Sequence, residues 1–332
     1  MATISDVAAL AGVSTATVSR ALNGKSTVDP ALVARVRAAA AELGYHPNAL
    51  ARNLRRQETA VLALIISDVE NPFFTAIARG VEDLALTAGY SVVLCNADEN
   101  EEKESRYLDV ALQERVAGVV LSPTGKATGV EALRARGTPV VAVDRPLPES
   151  GGDQVLVDSR RAAREATEHL LAGGYRRIAC VTGPVGIRTA EDRRAGYLDA
   201  LRAASGREET GLVRRAGYRS EGARQGTMEL LAEPERPDAL LVANSVMAIG
   251  VLQALAAHGL RPGRDIGLVA FDDAPWATLV DPPLTVVAQP AYEIGKVAAQ
   301  LLLARIGGNT GDPVTTMLEA RLVVRGSSRR GL

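Results

Sequence analysis

The chain has 332 residues, of which 47 % are hydrophobic and 23 % are charged, and its formal net charge at pH 7 is −1. This length exceeds one ordinary core and this composition excludes a disordered or fibrous protein, so we expect a small module joined to one large or two medium domains. No apolar run reaches the roughly 18 residues of a membrane span and no export signal begins the chain, so we expect a cytoplasmic protein without a membrane partner.

The charge is unevenly distributed along the chain. Residues 1–56 carry seven Lys and Arg against three acids, a net charge of +4, whereas the remaining residues carry a net charge of −5. A small basic head on a slightly acidic body is typical of a polyanion-binding module that is joined to a domain with another role.

Three short amphipathic helices are predicted at the amino terminus. The first follows a cap at Thr3 and ends at Gly12, the second follows a cap at Ser14, and the third runs from a cap at Asp29 to Gly44. Two helices joined by a tight turn and supported by a third form the helix-turn-helix plan, in which the second helix enters the major groove. A plain structural bundle of three helices has the same pattern, so the pattern alone leaves both open.

The spacing of residues in these helices predicts which side faces the core. In the second helix Val18 and Leu22 face inward, which leaves Thr15, Ala16 and Arg20 on the outer side. The predicted inward side of the third helix comprises Val33, Val36, Ala40 and Leu43.

The head resembles the DNA-binding head of the LacI/GalR family of bacterial repressors. The resemblance rests on DVAALAGVSTATVSRALN and on the later LGYHPNALARNLR. It implies that Thr15, Ala16 and Arg20 contact base edges of double-stranded operator DNA, where Arg20 can bond guanine O6 and N7 and the other two can offer methyl contacts to thymine. The residues better suited to phosphate oxygens are Ser14, Thr17, Ser19 and Asn23.

A linker is predicted at residues 47–58, between a helix-turn-helix domain at 1–46 and a body at 59–332. A helix over 48–56 is too short to be stable alone. The resemblance makes it the hinge helix, which orders on DNA beside its twin from a second subunit. Leu54 is then a wedge in the minor groove, with Arg52 and Arg55 near phosphates and Asn48 also on the DNA. The alternative is that Leu50 and Leu54 pack on the head.

From residue 61 onward, apolar runs alternate with amphipathic helices. The runs are VLALIISD, YSVVLCNAD, VAGVVLSP and TPVVAVDRP, followed by QVLVD, YRRIACVTGP, ALLVAN and IGLVAFDD. Repeated βα units of this kind predict two similar lobes, each with a parallel sheet covered on both faces. The chain is expected to cross between the lobes near residues 158, 288 and 313.

Polar and aromatic residues follow many of these strands. Because parallel sheets bind ligands beyond the carboxyl ends of their strands, we expect these side chains to line a cleft between the lobes. Carboxylates, amides and guanidinium groups can pair with sugar hydroxyls, and aromatic rings can pack on the sugar ring. The candidates are Asn71, Phe73, Phe74, Asp144, Arg145, Arg193, Tyr218, Asn244, Asp272 and Gln289. Singly, each also has a structural explanation as a cap, an ion pair or a core residue.

The body resembles the effector domain of the same family and the periplasmic sugar-binding proteins of the ribose type. The motifs NPFF, VDR, RRAGY, VAN, FDD and VVAQP fall where those relatives hold a monosaccharide. The resemblance implies a homodimeric repressor controlled by a small-molecule effector, with a sugar favoured over a non-sugar metabolite. Ser245 departs from the Asp that many relatives have after Asn, which leaves the identity of the ligand open.

Three other function classes compete with a regulator. A sugar transport receptor would share the body but not the head, and an architectural DNA protein would not need the cleft residues. An enzyme would use Asp272 and Asp273, yet neighbouring residues on a strand point to opposite faces, and no phosphate loop or nucleophile motif is present. We therefore expect no catalysis, no metal and no cofactor.

Overall fold

The computed structural model describes residues 2–22, 28–45, 59–125, 129–147, 152–205 and 212–330. The chain divides into two compact units, a head at Met1–Thr59 and a body at Ala60–Leu332. Among the described residues no helix is both long and apolar enough to cross a membrane.

Three helices form the described part of the head: α1 Ile4–Ala11, α2 Thr15–Leu22 and α3 Pro30–Glu42. Thr3 and Asp6 cap α1 reciprocally, because the Thr3 hydroxyl accepts a hydrogen bond from the Asp6 N–H and the Asp6 carboxylate accepts one from the Thr3 N–H at 2.7 Å. Gly12 ends α1 at a left-handed φ of 62°. The Asp29 carboxylate caps α3, and Pro30 occupies its first position.

A small apolar core joins the three helices of the head. Its buried members are Val7, Ala8, Ala11, Val18, Ala21, Val36, Ala39 and Ala40. Val18 faces this core as its spacing predicts, and Leu22 is half-buried beside it. The inward placement predicted for Leu43 was wrong, since α3 ends at Glu42 and Leu43 lies in its cap with 36 % of its surface exposed.

The first lobe of the body contains a sheet of six parallel strands in the order β11-β5-β4-β3-β1-β2. The strands are β1 Val61–Ile66, β2 Ser91–Asn96, β3 Gly118–Leu121, β4 Val140–Val143, β5 Asp153–Val157 and β11 Thr315–Leu318. The helices are α4 Pro72–Thr87, α5 Glu101–Gln113, α6 Val130–Ala135 and α11 Ala291–Ile306.

The second lobe contains a sheet in the order β12-β10-β9-β8-β6-β7, parallel except for β12. The strands are β6 Ile178–Thr182, β7 Val213–Arg215, β8 Ala239–Val242, β9 Gly267–Phe271, β10 Thr285–Ala288 and β12 Arg321–Val323. The helices are α7 Ser159–Ala172, α8 Arg188–Ser205, α9 Ser220–Leu231 and α10 Ser245–Ala257. Short 3₁₀ helices span Pro275–Thr278 and Gly326–Ser328.

Each sheet of the body is buried on both faces because apolar side chains alternate between two cores. In β1, Leu62, Leu64 and Ile66 pack into one core, whereas Ala63 and Ile65 pack into another on the opposite face. The side chains of β8 and β9 alternate between two further cores in the same way. The predicted body of two similar parallel α/β lobes is therefore confirmed.

The chain passes between the lobes after Val157, after Ala288 and after Leu318. The third crossover was predicted near residue 313, and this position was wrong. Residues Thr315–Leu318 add a strand to the first lobe beside β5, so the chain leaves that lobe only afterwards. These four residues are partly exposed and include two threonines, so no apolar run marks the strand in the sequence.

Candidate functional site

A cavity lies between the two lobes, at the carboxyl ends of their strands. All ten residues predicted to line the cleft line this cavity. Three further residues join them: Asp68, Glu99 and Thr189. Asp68 and Glu99 follow β1 and β2, so the strand-end rule would have found both, whereas Thr189 lies in the first turn of α8 and has no such signal. The part that the ten residues play in binding stays a prediction.

The start of α4 supplies the aromatic side of the cavity. Asn71 caps this helix, because its Oδ1 accepts a hydrogen bond from the Phe73 N–H at 3.0 Å, and Pro72 takes the first helical position. The rings of Phe73 and Phe74 are both buried and meet edge to face, with centroids 5.2 Å apart. The cap therefore fixes where both rings stand.

The loop after β4 brings Asp144 and Arg145 into the cavity. Asp144 has a φ of 65°, a left-handed conformation that is uncommon for a residue with a side chain and that is often found at binding sites. Arg145 forms a bidentate ion pair with Glu99, at 2.6 and 2.8 Å, and donates to the Pro123 carbonyl at 3.2 Å. Burial raises the pKa of Asp144, while the positive charges of Arg145 and Arg193 oppose that shift.

The second lobe supplies a guanidinium and a carboxylate that face the first lobe. Arg193 Nη1 donates to the Ala243 carbonyl at 2.5 Å, and its guanidinium lies 4.3 Å from the centroid of the Phe271 ring. Asp272, with a φ of 73°, accepts a hydrogen bond from Gln289 Nε2 at 2.7 Å. Burial raises the pKa of Asp272, and the charge of Arg193 again opposes the shift.

Two more side chains of the second lobe are held in place by local contacts. The Tyr218 hydroxyl lies 3.2 Å from Thr189 Oγ1, and Tyr218 itself has a φ of 60°. Asn244 caps α10, since its Oδ1 accepts a hydrogen bond from the Met247 N–H at 2.8 Å. Ser245 begins that helix, is buried, and places its Oγ 3.5 Å from Asn71 Oδ1 in the first lobe. Serine at this position thus lies at the contact between the lobes.

Three buried polar atoms of the cavity lack a hydrogen-bond partner among the described residues. They are Nε of Arg145, Nε of Arg193 and Oε1 of Gln289. Of these, Arg145 Nε lies 3.4 Å from Asp144 Oδ2, within ion-pair distance but without a hydrogen bond. A buried polar atom without a partner costs about 1–3 kcal/mol, so three of them around one cavity point to a ligand that satisfies them. Two are donors and one is an acceptor, which requires a ligand that both accepts and donates.

Asp272 and Asp273 point to different surroundings. Asp272 is buried in the cavity, whereas Asp273 is exposed and pairs with Arg325 at 2.7 Å. The pair therefore does not form the two-carboxylate site that an enzyme acting on a sugar would use. Within the described parts of the chain, no three His, Cys, Asp or Glu residues are grouped so that they could hold a metal ion.

In the head, the outer side of α2 is open to solvent. Thr15, Ala16 and Arg20 are exposed on this face. Ser14 is also exposed, and its Oγ caps the helix by accepting from the Thr17 N–H at 3.1 Å and lies 2.9 Å from the Thr17 hydroxyl. Thr17 and Ser19 are half-buried. The other residues predicted to contact DNA lie outside the described residues: Asn23, Asn48, Arg52, Leu54 and Arg55.

Comparison with known proteins decides the family. Residues 3–48 match the bacterial regulatory proteins of the lacI family, and residues 167–328 match the periplasmic binding protein-like domain. The chain is 36 % identical over 330 residues to the ribose operon repressor of Escherichia coli K12, a match that covers 99 % of this chain and 100 % of that protein. The chain belongs to the lacI family. It is therefore a helix-turn-helix transcriptional regulator, and the resemblance noted in the sequence is confirmed.

Two solved structures of lacI-family proteins have the same fold. The lac repressor dimer bound to operator and the anti-inducer ONPF matches with a TM-score of 0.87 and 29 % identity, covering 98 % of this chain and 99 % of that chain. A LacI family transcriptional regulator of Enterococcus faecium with bound ribose matches with a TM-score of 0.73 and 26 % identity, covering 80 % and 98 %.

Proposed function

We propose that this lacI-family regulator is a homodimeric repressor, in which two heads bind a near-palindromic operator and a neutral monosaccharide of the ribose class controls that binding from the cleft. Three relatives support the proposal. One is named for the ribose operon, one was solved with ribose, and the lac repressor was solved as a dimer on its operator. The proposal includes a cytoplasmic location for the protein.

The observation that carries the sugar assignment is the set of buried polar atoms in the cavity that lack a hydrogen bond. Arg145 Nε and Arg193 Nε can donate to a ligand oxygen, and Gln289 Oε1 can accept from a ligand hydroxyl. Phe73, Phe74 and Tyr218 add apolar surface for the weakly polar faces of a sugar ring. A monosaccharide presents donors, acceptors and apolar faces together.

The charges around the cavity favour a neutral sugar over a phosphorylated one. Four carboxylates line it, from Asp68, Glu99, Asp144 and Asp272, against the guanidinium groups of Arg145 and Arg193. A third guanidinium group, that of Arg219, pairs with Asp68 from outside the cavity, which leaves one carboxylate in excess. One of these guanidinium groups, that of Arg145, is already paired with Glu99 at 2.6 Å. A phosphate ester would therefore enter a cavity with an excess of negative charge and lose its hydration shell there.

The exposed side of α2 supports specific reading of DNA. Arg20 has the length and the fork of donors to bond guanine O6 and N7, and Thr15 and Ala16 offer methyl groups to thymine. Ser14, Thr17 and Ser19 suit phosphate oxygens, which position the helix without specifying a sequence. Asn23, Asn48, Arg52, Leu54 and Arg55 are proposed for the same interface on the family resemblance alone.

Closure of the lobes on the sugar is the proposed link between the two sites. A ligand shifts a conformational equilibrium only by its difference in affinity for the two states, and a complete reversal needs a difference of about 10⁴-fold. Because Asn71 and Asp144 belong to the first lobe and Arg193 and Asp272 to the second, a sugar that contacts all four binds the closed lobes better than the open ones.

Calorimetric titration of the full-length protein tests the ligand assignment. We expect D-ribose to bind and D-ribose 5-phosphate to bind far more weakly, because of the excess of carboxylates. Two arginines of α8 provide the test variant and its control. Arg193→Ala should weaken ribose binding by about 100-fold or more, and Arg188→Ala, at an exposed ion pair with Asp192, should leave it unchanged. Tighter binding of the phosphate ester than of ribose would refute the neutral-sugar assignment.

A further inference from the structure

Arg219 joins the two lobes at the mouth of the cleft. It lies at the start of α9 in the second lobe, and its Nη1 is 3.0 Å from Asp68 Oδ2 while its Nη2 is 2.5 Å from Asp98 Oδ1. Both aspartates belong to the first lobe, where they follow β1 and β2. Asp68 is almost completely buried, whereas about 40 % of the side chains of Arg219 and Asp98 is exposed. We call Arg219, Asp68 and Asp98 the clasp.

The clasp lies far from the crossovers between the lobes. The three crossover segments leave the sheets at β5, β10 and β11, and the third leads directly into β12; these four strands lie toward one edge of each sheet. The clasp follows β1 and β2 at the other edge of the first sheet and β7 at the other edge of the second. When two bodies rotate about one edge, groups at the opposite edge separate most, so opening the cleft by a given angle disrupts the clasp first.

Two members of the clasp, Asp98 and Arg219, are chain neighbours of residues in the cavity, and the third, Asp68, lines the cavity itself. Asp98 precedes Glu99, which pairs with Arg145, and Arg219 follows Tyr218, whose ring centroid lies 5.7 Å from the Arg145 guanidinium. Asp98, Glu99 and Tyr218 have φ values of 57°, 53° and 60°. Left-handed backbone at three non-glycine residues is uncommon and persists where surrounding contacts hold it. The loops after β2 and after β7 therefore each carry one residue of the clasp and one residue of the cavity.

We propose that Arg219 is a positioning residue that holds the lobes closed and so sets the affinity and the residence time of the effector. This inference rests on the proposed function, since it concerns the same cleft. Arg219 does not line the cavity. It acts by stabilising the closed arrangement in which the cavity residues of both lobes meet. Its loss removes no group that lines the cavity and takes the ion-pair partner from one of them, Asp68.

The expected size follows from the exposure of the clasp. A half-exposed ion pair contributes modestly, and the pair with the buried Asp68 contributes more, so Arg219→Gln should weaken D-ribose binding by about 3- to 10-fold. The sugar should also dissociate faster. The difference between variant and wild type should shrink as salt is raised from about 0.1 M to about 1 M, because the exposed part of the clasp is screened.

Full-length Arg219→Gln and a matched variant, Arg224→Gln, test the proposal with D-ribose as the probe. Arg224 lies on the same helix and forms an ion pair with Glu221 that stays within the second lobe, so its loss should leave the affinity unchanged. Asp98→Asn should act in the same direction as Arg219→Gln, and the double variant should be less than additive. Arg219→Lys, which keeps the charge without the fork, should restore part of the affinity.

Hydrogen exchange in the absence of sugar separates this proposal from the ligand assignment. The amides of Val69 and Glu99, which bond Asn96 Oδ1 and the Ser67 carbonyl, should exchange faster in Arg219→Gln and not in Arg224→Gln. Faster exchange together with no ribose binding by wild-type protein would overturn the ligand assignment and support the clasp. Wild-type exchange and wild-type ribose affinity in Arg219→Gln would overturn the clasp.

Discussion

The head and the body place their candidate binding residues in opposite ways. In the head, Thr15, Ala16 and Arg20 stand exposed on the outside of a helix. In the body, Asp144 is 8 % exposed and Arg193 is 4 % exposed, and both lie in a cavity with unpaired polar atoms. DNA is a large partner that a convex helix can reach, whereas a small ligand must be surrounded to be recognised. The same substitution, arginine to alanine, should therefore have different consequences in the two regions.

The largest expected effect is that of Arg193→Ala in the body. Removing the guanidinium leaves Asp144 and Asp272 buried without the positive charge that they share, and the sugar loses a donor. Affinity for D-ribose should fall by about 100-fold or more. Operator binding without sugar should be unchanged in anisotropy titrations, and the response to sugar should disappear. A response that survives in Arg193→Ala would show that the cavity is not the effector site.

Val18→Ala in the head tests how far the two regions are independent. Val18 is fully buried in a core with few large side chains, so the lost methyl groups and the cavity left behind should cost about 2–3 kcal/mol. A small domain has little stability to spare, so operator binding should weaken strongly near 37 °C while ribose binding persists. Thermal unfolding measures the loss of stability, and calorimetric titration measures ribose binding. Loss of ribose binding in this variant would show that the head and the body do not fold independently.

Arg20→Ala changes an exposed residue of the head, and its effect should be smaller and limited to the specific binding of operator DNA. We expect specific operator binding to weaken by about 1–3 kcal/mol and the preference at one base pair to relax. Arg35→Ala, at an exposed arginine of α3, removes the same charge from the head and serves as the control. Anisotropy with the operator and with random DNA checks the result. Equal losses on both DNAs would mean that Arg20 contacts phosphate instead.

The smallest effect concerns a buried acid that does not line the cavity. Glu104 accepts hydrogen bonds from the Thr124 N–H at 2.6 Å and from its hydroxyl at 2.8 Å, yet burial raises the pKa of Glu104 above 4.5. A raised native pKa means that the native state keeps a proton that the unfolded chain has lost, so this contribution to stability is lost as pH rises through the native pKa.

Glu104→Gln removes that titration and keeps an acceptor oxygen. Its Tm relative to wild type should be higher at about pH 7 than at about pH 4. Ribose affinity should not change, since Glu104 lies outside the cavity. A relative Tm that is the same at both pH values would show that the ionised form of Glu104 has no cost in the folded protein.

The sequence predicts elements well where burial dictates an apolar pattern, and poorly elsewhere. Most strands in the interior of the two sheets are buried on both faces, so apolar runs mark them. The strands Val213–Arg215, Thr315–Leu318 and Arg321–Val323 are short and partly exposed at sheet edges or next to them, so they have no such signal, and the third crossover was misplaced as a result. These strands form because each pairs with a neighbouring strand, and such pairing leaves no local pattern in the sequence.

One geometric rule predicted which residues line the cavity. Capping residues predicted where the helices of the head begin. Parallel strands bring their carboxyl ends together, which is why residues as distant in sequence as Asn71 and Asp272 meet. The ion pairs of Arg219 were not predictable, because they depend on how closely the two lobes approach one another. Leu43 was misplaced because the spacing of apolar residues does not mark where a helix ends.

The measurement that tests the account most directly is the anisotropy of labelled operator DNA, selected from random sequence, titrated with full-length protein at fixed salt with and without D-ribose. The account predicts tight, sequence-specific binding whose affinity changes on addition of ribose and does not change on addition of ribose 5-phosphate. Specific binding that no neutral sugar alters would contradict the claim that a monosaccharide in the cleft controls the head.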